Sequence, residues 1–310
     1  MPIVPCCADT GSDLPRPAIN DVEGPRVPSG LPEVVDAHVH LFPDRVFHAL
    51  WAWFDGHGWP IRYRLETPRA IEFLLSRGVS RIVALSYSHK AGMARSLNSA
   101  MAEVARAEPR VIGLATVFPG EPEAREILEE AFALGLRGVK LHCHVQAFSP
   151  DAEELGPIYE QCARADLPLV MHAGRAPRST AYPIDPHVLC HVDRVRAVLE
   201  DHPRLKLVVP HLGADELDAY ADLLERHDNL WLDTTMMLAG FFDLVVPHRI
   251  FEARPDRIMY GSDFPNLPYA WDRELVRVRD SGIPEASLAR VLSTNARALF
   301  DTHPASRNPC

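Results

Sequence analysis

The chain has 310 residues, with 42 acidic and 32 basic side chains and a formal net charge of -10. Acids and bases are mixed along it without a basic block, which argues against a nucleic-acid partner. No apolar run is long enough to span a bilayer, while 47% of the residues are hydrophobic, enough for a substantial core.

Residues 1–30 are rich in Pro and Gly and lack a basic region followed by an apolar one. They read as an irregular arm on the domain surface or on a neighbouring subunit, not as a signal peptide. Residues 31–302 read as one domain and residues 303–310 as a tail. Cys6, Cys7, Cys143, Cys162, Cys190 and Cys310 are scattered without zinc-finger spacing. Reduced thiols in a cytoplasm are the simplest reading.

The segment 34–40 predicts a strand, with Val35, Ala37 and Val39 on one face and Asp36, His38 and His40 on the other. Two imidazoles spaced in this way form a pincer for a borderline metal. An aromatic segment follows, with Trp51, Trp53 and Trp59. It predicts a rim helix or a lid, with some rings facing a substrate. Strands are then expected at 81–87, 111–117, 139–143, 167–172, 205–211, 230–234 and 258–263. Helices are expected at 68–78, 91–107, 121–134, 151–165, 187–201, 215–227, 240–253, 271–280 and 285–300. Eight apolar strands alternating with helices predict an α/β protein of the (β/α)8 barrel type. No glycine-rich nucleotide loop follows any strand.

Chemistry in such a barrel sits at the C-terminal ends of the strands. His38 and His40 close the first strand, Lys140 and His142 lie on the fourth, His172 ends the fifth, His211 the sixth and Asp263 the eighth. Histidines and an aspartate converging on one mouth predict a divalent metal. His144 is a further pocket candidate. Arg175 and Arg178, in the loop after the fifth strand, are candidates to hold a substrate carboxylate, or else solvated loop charges. Trp53 is a candidate wall for an apolar substrate. His187 and His191, four apart on an expected helix, read as rim residues.

The order of these residues, within VVDAHVHLFP, RGVKLHCHVQAFSPD, LPLVMHAG, LVVPHLGADE, LWLDTT and YGSDFP, resembles the amidohydrolase superfamily. The wording is most similar to its amidohydrolase-related branch, which includes aminocarboxymuconate-semialdehyde decarboxylase, other aromatic-acid decarboxylases and lactone hydrolases. The resemblance implies that His38, His40, His172 and Asp263 hold one divalent metal, zinc first and manganese second. It implies that His211 polarises the substrate or orients a metal-bound water, and that Asp263 doubles as general base. In binuclear members a fourth-strand lysine is carboxylated and bridges two metals; Lys140 lies on that strand, where it could instead pair with Asp263 or the substrate. The expectation is a hydrolase of a small amide or lactone using a metal-activated water. The alternatives are a non-oxidative decarboxylase of an aromatic or muconate-type acid and a silent barrel used for binding. A small-molecule substrate and a homodimer complete the expectations.

Overall fold

The computed structural model describes residues 19–301. Eight short strands run Val35–His40 (β1), Arg81–Leu85 (β2), Val111–Gly113 (β3), Val139–His142 (β4), Leu169–His172 (β5), Leu207–Val209 (β6), Leu230–Asp233 (β7) and Ile258–Met259 (β8). Every pairing is parallel, in the orders β1-β2-β3 and β4-β5-β6-β7-β8. Single bridges close the two arcs into a ring, Ala115 to Val139 and Val39 to Phe264. The Lys140 amide donates to the Ala115 carbonyl at 2.7 Å and the His40 amide to that of Phe264 at 2.8 Å. The fold is a (β/α)8 barrel.

Alternating strand positions divide the core. Val83 and Leu85 of β2, Val170 of β5, Val208 of β6 and Met259 of β8 form a small cluster with Ala296, Leu299 and Phe300. It fills the barrel, and the last helix, Asn295–Phe300, closes its base. Ile82, Ala84, Leu169 and Leu207 join the larger cluster with the surrounding helices. Helix Ala94–Ala107 shows the attachment: it buries Leu97 and Met101 at helical spacing. Beside them, Asn98 accepts from the Thr116 amide at 2.8 Å and donates to its carbonyl at 2.9 Å.

The first strand departs from simple alternation. Its register against β2 shifts between Asp36 and Val39. Val35 and Ala37 therefore join the interior cluster while Val39 joins the outer one. The three do not share a face, because a bulge adds a residue on one side of the ladder.

The aromatic segment folds as helix Asp44–His57. Three expected helices depart most from their expected bounds. The stretch 187–201 breaks at Cys190 into Pro186–Leu189 and Val192–Asp201, separating His187 from His191. The stretch 215–227 turns helical at Leu217, after residues of left-handed backbone. Only Arg249–Ala253 of 240–253 is helical. Gly240 has φ +66°, and Phe242 and Leu244 beyond it turn toward the cavity described below.

Residues 19–30 hold no helix or strand and lie on this chain's own barrel. The Ile19 amide donates to the Pro268 carbonyl at 2.6 Å, and Arg62 pairs with Asp21 at 3.0 Å. Cys143, Cys162 and Cys190 are buried free thiols. Cys6, Cys7, Cys310 and the proposed tail 303–310 lie outside the described residues. Among the described residues no helix is long and apolar enough to cross a membrane.

Candidate metal centre and its cavity

The end of β1 and the segment after β8 build one donor group. His38 Nδ1 lies 2.8 Å from Asp233 Oδ2. Burial alone would raise the Asp233 carboxyl, but His38 and His211 hold it below the usual carboxylate range. An ionised carboxylate only accepts, so the His38 proton sits on Nδ1 and Nε2 carries a lone pair. That Nε2 is 3.3 Å from His40 Nε2 and 3.4 Å from Asp263 Oδ1, and His40 Nε2 is 3.2 Å from the same oxygen. Ligand atoms around a tetrahedral zinc with bonds near 2.05 Å lie about 3.3 Å apart. The three side chains are 0%, 5% and 7% exposed. A buried set of nitrogen and carboxylate donors at this spacing fits a divalent cation.

Backbone devices hold the set. Asp36 accepts from the His38 amide at 3.1 Å, the Ser262 amide at 3.0 Å and the Ser262 hydroxyl at 2.5 Å. It thereby staples the bulged β1 to the segment after β8. Asp263 adopts φ +75°, and its amide donates to the His38 carbonyl at 2.9 Å. Only glycine fits at 261: a Cβ there would stand 2.3 Å from Thr235 Oγ1 and 2.7 Å from His38 Cβ. Burial pulls the His38 imidazole down to about 3. For Asp263 burial acts upward, but the hydrogen bond and charge of His40 prevail and hold the carboxyl at about 2.

A second group adjoins the first. His172 Nε2 faces the Ala176 carbonyl at 3.2 Å, and His211 Nδ1 faces that of Thr235 at 3.0 Å. Carbonyls accept, so both rings place their protons there. His172 Nδ1 and His211 Nε2, 3.1 Å apart, then point two lone pairs at each other. Only a shared proton or a cation satisfies that arrangement. His142 stacks on His172 with ring centroids 4.1 Å apart. His144 Nε2 donates to the Gly174 carbonyl at 2.8 Å. Burial, then the neighbouring imidazoles, push His142 and His172 well below the usual histidine range. Lys140 is fully buried, with Nζ 3.5 Å from His38 Nε2. Burial lowers its amine to about 8, against the pull of Asp233 and Asp263.

A cavity of about 720 Å³ opens over both groups. His40, His142, His172, His211 and Asp263 reach it from the strand ends, and Trp53, Phe54, Trp59, Tyr87, Tyr182 and Phe242 contribute aromatic wall. Trp53 stacks on Tyr182 at 5.4 Å.

A family model described as Amidohydrolase matches residues 35–302. The chain belongs to the amidohydrolase family. Three solved amidohydrolase-fold structures illustrate the likeness. The 5-carboxyvanillate decarboxylase LigW from Sphingomonas paucimobilis is 20% identical with a TM-score of 0.64, over 87% of this chain and 99% of that one. The 5-carboxyvanillate decarboxylase from Novosphingobium aromaticivorans, complexed with manganese and a nitrobenzoic acid, is 17% identical at 0.64, over 91% and 100%. The 2,6-dihydroxybenzoate decarboxylase from Rhizobium is 18% identical at 0.62, over 87% and 98%. At these identities the likeness speaks for the fold alone. The comparison with curated proteins finds no match.

Within this amidohydrolase the residues singled out from sequence separate into three sets. His38, His40 and Asp263 form one group of donors, and His142, His144 and His172 a second. His172 thus stands with the second group and against His211, and Lys140 faces the first. Trp53 lines the cavity, whereas His144 lies behind its wall. Arg175 and Arg178 do not line it. Arg175 binds Asp215 at 3.0 Å and Glu216 at 3.3 Å, and Arg178 binds Asp185 at 2.6 Å. Nearby carboxylates hold both away from the mouth. Asp233 was not singled out from sequence, although it ends β7 as the other polar residues end their strands. Tyr87 and Tyr182 reach the cavity through loop paths that spacing does not reveal.

Proposed function

We propose that this amidohydrolase is a metal-dependent, non-oxidative decarboxylase of a small aromatic or muconate-type acid. The observation that carries this reading is the aromatic-walled cavity standing directly over the His38, His40 and Asp263 donors. A planar acid fits between aromatic faces, and its carboxyl end reaches the polar floor. The names of the similar structures favour carbon dioxide release over hydrolysis of an amide or lactone.

Zinc or manganese, held by His38, His40 and Asp263 with His172 and His211 adjacent, would supply positive charge to the substrate's oxygens. His211 lies against that floor as a hydrogen-bonding partner for the substrate. Asp263 is the cavity-lining carboxylate placed to relay a proton, taken up from solvent, to the carbon that bears the carboxylate. The carbon–carbon bond then breaks, its electron pair stays with the ring, and carbon dioxide leaves. One carboxylate and one proton give one arene and one carbon dioxide. The aromatic wall excludes water, which favours loss of the charged group.

The test is carbon dioxide release from a panel of hydroxybenzoates and muconate-type acids, with the protein supplied with manganese or zinc. Release from at least one acid, abolished by chelation, is expected. Turnover confined to lactones or amides would overturn the reading in favour of hydrolysis.

A further inference from the structure

Asn266 brings an uncharged carboxamide to the cavity, and that side chain has no partner. Among the described residues of the cavity wall there is no other Asn or Gln, and no Ser or Thr. Asn266 is 3% exposed, and its Oδ1 is buried without a hydrogen bond. The hydrogen bonds of the residue run through its backbone instead.

That backbone is pinned on both sides. The Asn266 amide donates to the Asp263 carbonyl at 3.0 Å, and the Asn266 carbonyl accepts from Trp59 Nε1 at 2.6 Å. The next carbonyl, of Leu267, accepts from the Arg62 amide at 2.8 Å. Two residues back, Phe264 stacks on Phe73 with ring centroids 5.1 Å apart. Trp59 in turn meets Phe54 at 5.0 Å and Phe242 at 6.2 Å. Asn266 therefore stands at the joint between the Asp263 carboxylate and the aromatic wall, bonded through its backbone to a residue of each. An asparagine that only shapes a turn bonds its side chain to the neighbouring backbone. Asn266 makes no such bond, so the turn does not account for it. A buried amide without a partner costs stability that an aliphatic side chain would not. A group kept at that cost, on a rigid backbone and in a cavity wall, is suited to a ligand.

We propose that Asn266 is a specificity-determining residue whose amide receives a ring hydroxyl of the substrate. It lies outside the metal donors, so the hydroxyl concerned is set apart from the carboxylate that is lost, in the meta or para position. A hydroxyl both donates and accepts, as the amide does, and adds no charge beside Asp263. A bare ring edge leaves the amide unpaired, and a site built to bond a hydroxyl rejects the analogue without it for that reason. This deepens the decarboxylase reading and rests on it for the fate of the carboxylate, although recognition is measured without turnover.

The experiment is isothermal titration of the manganese-supplied protein with 3-hydroxybenzoate, 4-hydroxybenzoate and benzoate, in wild type, Asn266→Leu and Asn266→Ala. Wild type is expected to bind at least one hydroxybenzoate about tenfold more tightly than benzoate, the scale of one hydrogen bond to a buried group. Both variants are expected to bring that ratio to within about twofold of one, and circular dichroism is expected to show them folded. Equal binding of the three acids by wild type, no binding of any, or a preference that survives in a folded variant would each overturn the proposal. Loss of the fold in both variants would overturn it too, by making the amide a structural group. Carbon dioxide release is followed in parallel. A preference that depends on Asn266 without any carbon dioxide would uphold the recognition and discard the decarboxylase reading.

Discussion

His38 and Asp233 meet through Nδ1 and Oδ2 at 2.8 Å, with both side chains 1% exposed. This contact decides which nitrogen of His38 faces the metal position. Asp233 also accepts from the amides of His211 at 3.1 Å and Thr235 at 3.2 Å through its other oxygen. One carboxylate therefore orients a donor of the first group and fixes the backbone of His211, which faces His172 of the second.

Asp233→Asn keeps the shape and the amide acceptor but removes the charge that locks the His38 tautomer. Metal affinity is expected to fall about 10- to 100-fold, in line with other outer partners of metal-bound histidines. Titration against a competing chelator measures it. Unchanged affinity would mean that the contact does not set the tautomer.

Gly261→Ala tests the close approach of the segment after β8 to His38. The added methyl meets Thr235 Oγ1 and His38 Cβ inside van der Waals distance. A loss of about 1–3 kcal/mol of stability is expected, together with weaker metal binding. Urea denaturation reads the first and chelator competition the second. A variant of wild-type stability would show that the segment relaxes without strain.

Glu274 gives the fold a pH dependence of its own. Its carboxyl is 1% exposed and accepts from the Leu238 amide at 3.1 Å. Burial pushes it from 4.5 up to about 8. The native state therefore keeps a proton that the unfolded chain releases. The associated stability is fully present below pH 4.5 and is lost progressively as pH rises to about 8, by at most about 1.4 kcal/mol per unit. Glu274→Gln is expected to flatten this slope in denaturation curves between pH 5 and pH 8. An unchanged slope would assign the loss to other groups.

Asp263→Asn is expected to lower carbon dioxide release by at least about 10²-fold, since it removes a metal donor together with the proton relay, while the fold survives. Side by side, circular dichroism and the release assay separate the two. Activity within a few fold of wild type would remove Asp263 from the proton path.

The barrel was legible because the strands are short apolar runs alternating with helical segments, and β1, β4, β5 and β7 end on the polar residues His40, His142, His172 and Asp233. The donors were legible for the same reason, since the fold gathers strand ends at one mouth. Other features depend on contacts between segments far apart in sequence. The bulge in β1 is held by Asp36 and Ser262, which are 226 positions apart, so alternation alone put Val39 on the wrong face. Arg175 and Arg178 looked like mouth residues because they follow β5, but Asp215, Glu216 and Asp185 claim them. The broken helix at Cys190 and the irregular stretch after Gly240 follow tertiary packing that helical spacing does not record.

The most direct measurement is metal content per chain by elemental mass spectrometry, on wild type and on His38→Gln and Asp263→Asn, each after exposure to manganese or zinc and removal of excess. About one metal per wild-type chain, with little retained by either variant, is the expected result. Wild type without metal, or variants that keep a full complement, would contradict the assignment of His38, His40 and Asp263 as its holders.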